Sequence, residues 1–255
     1  MRGLRQAIGA IDPAADVSRL KALCGRLKHR AVPRRQKHLR IVDPAILIDK
    51  ALSHYEVRVR SSKSPATRDI THARDALMLA FVAYHPIRLA NFAGLRLGQH
   101  VVERSDGFHL SLSAAETKER RPYECPVADD LLFYLRHYLE YVRPWLLDGE
   151  SSEFLWVSMR GSALSASAIY YQINKITKRL IGHAINPHLI RDCVLTALAE
   201  HAPESVRAGA LLLGHGDLRT GEMYYNHASA FSAQRIHFEL IRALRRNAVG
   251  KQGGT

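Results

Sequence analysis

Nine apolar residues in a row, ALMLAFVAY from Ala76 to Tyr84, set the first constraint on this chain. A bilayer span takes about 20 such residues, so this run is far too short to cross one. It reads instead as a helix apolar on every side, which has to be wrapped by other elements. The chain can supply them: it has 255 residues, 47% of them apolar, enough for one large domain or for one domain and part of a second.

Most of the remaining chain carries a helical period. Residues 16–30 place Leu20, Leu23, Cys24 and Leu27 on one face, with Asp16 or Ser18 able to cap the start. A second helix is expected from about Pro44 to Tyr55, then a loop over 57–69. The helix holding the apolar run follows from about Thr71. Pro86 should break it, and residues 88–97 read as helix again, which would put Arg88 inside an apolar helix. Between Gln99 and Val127 the period shortens to two. Alternating runs flank Ser105-Asp106-Gly107, a hairpin signal, and PYECPV makes a third short strand after the ETKERR turn. Helical patterns resume in ADDLLFYLRHYLEYVRPWL, SASAIYYQINKITKRLI, PHLIRDCVLTALAEHA and PESVRAGALLLG, and in the basic tail FSAQRIHFELIRALRR. The expected fold is therefore mainly α with a small three-stranded antiparallel sheet, an α+β arrangement.

The formal charge is +13. In a chain able to fold, an excess that large points to nucleic acid, against the alternative of a basic protein with no such partner. Seven of the cations (Arg26, Lys28, Arg30, Arg34, Arg35, Lys37 and Arg40) crowd around Pro33. That segment reads either as a linker lying along a phosphate backbone or as a solvated connector. Cys24, Cys125 and Cys193 are far apart with no CxxC, so neither a disulfide framework nor a thiolate zinc site is expected, and a cytosolic setting fits. The fourteen histidines are scattered without an HExxH and read as surface or phosphate-facing residues rather than metal ligands. The first dozen residues carry no signal-peptide pattern.

Four short stretches break the core pattern with polar residues. They are HPIR with Arg88, TKERR with Lys118, PHLIR with His188 and Arg191 three apart, and LLGH with His215 nine residues before Tyr224. Singly, each is ordinary, because most charged residues are solvated or ion-paired. Together they supply two arginines, a lysine, two histidines and a tyrosine hydroxyl, the makings of a pocket for a phosphate. In this order the residues resemble the catalytic set of the tyrosine recombinases, or phage integrase family. Arg88 matches the first arginine, with Leu95 and Leu97 following as in the family. Lys118 matches the hairpin lysine, His188 and Arg191 the His-x-x-Arg pair, and LLGH the stretch ending in the family's second histidine. The family's spacing selects Tyr224 as nucleophile over Tyr225. The resemblance spans roughly residues 40–230, and FLWVSMRGSAL belongs to it. The chain departs at Asn91, where the family often has an acid, at HPIR in place of TGxR, and at Asp192, where a histidine is common.

The resemblance implies site-specific cleavage and rejoining of double-stranded DNA through a 3′-phosphotyrosyl link, with no metal, no other cofactor and no membrane. It implies a homo-oligomer, a tetrameric synapse on DNA, in the cytoplasm at the nucleoid. It divides the chain into residues 1–31, the last part of a helical core-binding domain; 32–40, a basic linker; 41–230, the catalytic domain; and 231–255, an amphipathic helix and tail. The family usually carries a longer helical domain in front. Phe231, Ile236, Leu240 and Leu244 would form the helix face, which either docks on a neighbouring protomer or packs in cis. A non-catalytic DNA-binding remnant and a type IB topoisomerase-like relaxing enzyme are the alternatives.

The chemistry fits these residue types. Arginine stays charged and gives planar, paired bonds to phosphoryl oxygens, a role for Arg88 and Arg191, with His215 a further donor. A tyrosine with a pKa of about 10 is ionised about one part in a thousand at neutral pH. Tyr224 would thus need a proton acceptor, here His188. Lys118 would protonate the departing 5′-oxygen.

Overall fold

The computed structural model describes residues 7–8, 10–12, 15–30, 40–60, 66–118, 120–202 and 234–246. The chain divides into two units, Met1–Arg40 and Ile41–Thr255. The first holds α1 (Ser18–Arg30), whose start is capped by the Asp16 carboxylate accepting from the Ser18 amide at 2.8 Å. The second unit comprises α2 (Pro44–Arg60), α3 (Thr67–Tyr84), α4 (Leu89–Ala93), β1 (Val101–Arg104), β2 (Gly107–Leu112), β3 (Tyr123–Pro126), α5 (Asp129–His137), a π turn (Tyr138–Val142), α6 (Arg143–Leu147), α7 (Ala166–Ile181), α8 (Pro187–His201) and α9 (234–246).

The apolar run sits where its composition demands. Every residue from His72 to Tyr84 is buried, and α3 touches α2, α5, the π turn, α6, α7 and α8. Aromatic packing fills the far side of this axis: the fully buried Trp156 meets Phe81, Phe92 and Tyr138 at ring separations of 5.7, 5.2 and 5.5 Å. The sheet is antiparallel in the order β1-β2-β3, as its alternation predicts. Arg104 pairs with Gly107 across a two-residue turn, and Phe108, Leu110 and Leu112 of β2 face the core. Gly107, at φ +128, opens β2 in a conformation that L side chains rarely adopt, which is why Asp-Gly marks the turn.

Several sequence expectations need correction. α2 runs five residues beyond Tyr55, and α3 starts at Thr67 rather than about Thr71. Both shifts are made by tertiary packing, since Arg58 of α2 bridges to Asp69 of α3 at 3.0 Å. Residues 88–97 do not form one helix. Gly94 ends α4 by returning its amide to Ala90 and Asn91, and Arg96 then bridges to Phe154. Arg88 accordingly stands just ahead of α4 with extended backbone, not inside a helix. Nor are the histidines confined to the surface: His72, His85, His100 and His237 are buried.

α9 packs in cis, by a face shifted from the expected one. Gln234, His237 and Ile241 are buried, with Phe238 and Leu244 against the core, while Ile236 and Leu240 are half-buried; Phe231 lies outside the described residues. Polar anchors fix it. The Gln234 amide donates to the Tyr84 carbonyl at 2.8 Å and His237 Nε2 donates to the Ala83 carbonyl at 3.0 Å. Arg245 reaches Asp49 and, at 2.6 Å, Asp130.

These buried imidazoles make α9 acid-sensitive. Burial holds His237 down to about 4, and burial together with the nearby His237 holds His85 down to about 3. Between pH 6.5 and 4 the unfolded chain binds a proton that the native His237 refuses. Stability is therefore complete above about pH 6.5 and falls as the pH drops toward 4, by roughly 3 kcal/mol for His237 alone. Hydrogen exchange of residues 234–246 should accelerate over that range. His237→Gln, which keeps a donor for the Ala83 carbonyl, should lose about half of the acceleration, with His85 carrying the rest; an unchanged profile would contradict the assignment.

Candidate phosphate-binding site

A hydrogen bond joins the HPIR stretch to α8. Pro187 opens α8 with its fixed φ, and the Asn186 side chain caps it by accepting from the Leu189 amide at 2.9 Å. This start puts His188 on the exposed first turn and Arg191 one turn on, buried at 7% exposure. Arg191 Nη1 donates to the Pro86 carbonyl at 2.6 Å. The carbonyl is available because Pro86 follows the last turn of α3 and begins the extended run to Arg88. Arg88, half-buried, follows two residues later at the start of α4. The arginines of two separate stretches are thus tied to one locus.

Lys118 is exposed on the turn between β2 and β3. Glu116 latches that turn. Its carboxylate accepts from the Ser113 hydroxyl at 2.6 Å and from the Ser113 amide at 2.8 Å, and it meets His100 Nε2 at 2.7 Å. The Ser113 bonds, then the His100 bond, hold Glu116 at about 2. Beyond the turn, β3 carries Tyr123 to α9, where its hydroxyl donates to the Gln234 side-chain oxygen at 3.2 Å. Desolvation pushes the Tyr123 phenol well above its ordinary value, and the charge of Arg191 opposes that rise. The described residues therefore bring Arg191 beside the Pro86–Arg88 stretch and within electrostatic reach of β3. They leave His188 exposed on α8 and Lys118 exposed on the hairpin turn. His215 and Tyr224 lie outside the described residues.

Sequence reading missed the Glu116–His100 latch, because sixteen residues separate its partners and a side-chain pair at that range has no signature in the pattern. Among the described residues no three His, Cys, Asp or Glu side chains are grouped to hold a metal ion, and no helix is long and apolar enough to cross a membrane.

The profile described as the phage integrase family matches residues 60–230, about two thirds of the chain and the span from the end of α2 to beyond α8. The chain belongs to the phage integrase family. Its curated relatives include tyrosine recombinase XerD of Pseudomonas aeruginosa, 28% identical over 205 residues, covering 76% of this chain and 66% of that protein. XerD of Proteus mirabilis is 26% identical over 205 residues, covering 76% and 63%. XerD of Staphylococcus aureus is 30% identical over 176 residues, covering 69% and 57%. The chain thus spans a little under two thirds or less of these relatives' length. Among solved structures, XerA recombinase superposes at a TM-score of 0.48 with 16% identity, over 93% of this chain and 80% of that one.

Proposed function

We propose that this member of the integrase family is a site-specific recombinase that cleaves and rejoins double-stranded DNA through a 3′-phosphotyrosyl intermediate. The observation that carries the reading is the Arg191–Pro86 bond, which joins the second arginine of the family set to the stretch holding the first. Two guanidiniums, Arg88 and Arg191, neutralise the pentavalent phosphorus of the transition state, with His215 as a further donor. Tyr224 attacks phosphorus as its proton passes to His188. Lys118, on its latched turn, gives a proton to the departing 5′-oxygen. The covalent link preserves the bond energy, so rejoining needs no nucleotide. Within this reading residues 1–31 and 32–40 clamp and track the duplex, 41–230 do the chemistry, and 231–255 end the catalytic unit. A tetramer on DNA at the nucleoid is the working assembly.

Covalent capture tests the proposal. The purified chain is incubated with nicked duplexes spanning candidate sites, denatured, and searched for a protein–DNA adduct. An adduct through a tyrosine is the expected result. Duplex binding without any adduct would leave a DNA-binding protein and end the catalytic reading.

A further inference from the structure

Four aromatic side chains stand four residues apart along one continuous helical rod, Phe133, His137, Tyr141 and Trp145. In a regular α-helix a four-residue spacing overshoots a 3.6-residue turn and the row drifts around the axis. The wider π turn, Tyr138–Val142, lies in the middle of this rod and winds the drift back. The rings consequently form a row: Phe133 and His137 are 6.3 Å apart and His137 and Tyr141 5.0 Å, with the planes tilted by 31° and 33°. His137 is tied from behind to the Tyr55 hydroxyl at 2.9 Å. The other three face outward, Phe133 at 68%, Tyr141 at 64% and Trp145 at 41% exposure. Solvating so much aromatic surface is unfavourable, and a row of this kind marks an interaction site more often than chance.

The charge on this surface runs against that of the chain. Residues 129–150 hold five acids and two arginines, in a protein of +13. Asp129 and Asp130 are taken up by Arg242 and Arg245 of α9. Of the arginines, Arg136 pairs with Glu103, and Arg143 is buried with its guanidinium on the carbonyls of Ser152 and Phe154. Glu140, Asp148 and Glu150 are exposed beside the row. At the Trp145 end the row opens into a cavity of about 510 Å³ lined by Thr67, Pro144, Trp145, Asp148, Gly149 and Met159, in which Asp148 is the one charged residue among the described lining residues. An indole face, a thioether and a carboxylate around one cavity suit a long cationic side chain, its stem on the apolar walls and its head on the acid.

We infer that the Phe133–Tyr141–Trp145 face is a docking surface for a partner protein, and that the partner presents a segment both apolar and cationic, with a Lys or Arg entering the Trp145–Asp148 cavity. Phosphate-backed nucleic acid is disfavoured there by Glu140, Asp148 and Glu150, so this surface is separate in kind from the arginine-lined site.

Trp145 is its own reporter, since the chain's other tryptophan, Trp156, is fully buried. Acrylamide quenching of the full chain is measured with a synthetic helical Leu/Lys peptide, with its Leu/Glu counterpart, and with duplex DNA. The expected result is that the Leu/Lys peptide shields Trp145, against the repulsion of a +13 chain, and the other two probes do not. In Glu140→Gln/Asp148→Asn, where asparagine tolerates the left-handed φ of +49 at position 148, the peptide should bind roughly tenfold more weakly. Trp145→Phe should abolish the signal, and both variants should keep the parent melting temperature and duplex affinity. Equal shielding by the Leu/Glu peptide, shielding by duplex DNA, no shielding by any probe, or an unaltered affinity in the folded double variant would each overturn the inference.

Discussion

Tyr224→Phe is expected to eliminate covalent capture of DNA altogether while leaving duplex affinity unchanged. The phenolic oxygen is the atom that would bond to phosphorus, and phenylalanine keeps the ring without it. A nucleophile cannot be partly replaced, so the expected loss is to background rather than to a fraction, in keeping with the roughly millionfold loss when the nucleophile is removed from a serine protease. Tyr225→Phe should retain the adduct. The family's spacing selects Tyr224 over its neighbour. Peptide mapping of the captured species decides the matter. An adduct that survives Tyr224→Phe and disappears in Tyr225→Phe would move the nucleophile by one position; survival in both would refute a tyrosine nucleophile at this place.

Arg191→Ala should have the next largest effect, through two separable routes. Loss of one preorganised donor to a charge-developing phosphate lowers rate by about a hundred- to a thousandfold. The substitution also strips the Pro86 carbonyl of its 2.6 Å partner inside the protein, where an unsatisfied acceptor costs about 1–3 kcal/mol. Arg191→Lys separates the two. A lysine can serve the carbonyl with one N–H but has no planar fork for the phosphate. The melting temperature should then recover most of its loss while the cleavage rate, measured in a single turnover on a nicked duplex, stays well below the parent. Full recovery of rate with lysine would reduce Arg191 to a structural role.

How far the fold could be read from the chain depended on the range of the interaction that decided each element. The Ala76–Tyr84 run announced its burial through composition alone, and the β1–β2 hairpin through its alternation and Asp-Gly. The N-terminal end of α8 was readable because Asn186 and Pro187 act within a few residues. Errors gathered where distant partners intervene. Arg58 and Asp69 carry the helices into a stretch whose serines, lysine and proline read as loop. Arg88 was placed in a helix because RLANFAGLRL is apolar at helical spacing, but Gly94 and the Arg96–Phe154 bridge cut that helix short. The buried histidines gave no sign, since the α3–α9 packing that buries His237 joins residues about 150 apart in sequence. The candidate set itself was legible by order and spacing, while the bond that joins two of its stretches, a side chain to a backbone carbonyl, has no signature in sequence.

The anchoring of α9 bears on how this protein can be cut. Residues 234–246 lie beyond the end of the family match at 230, and a boundary drawn there would look natural. It would remove Gln234 and His237, the donors to the carbonyls of Tyr84 and Ala83, and the arginine that joins Asp49 to Asp130. The last turn of the central helix would then end against solvent only a few residues before Pro86, the carbonyl that receives Arg191. A fragment trimmed at 230 would thus lose order at the very step from α3 to Arg88, and its inactivity would say nothing about the chemistry of the intact chain.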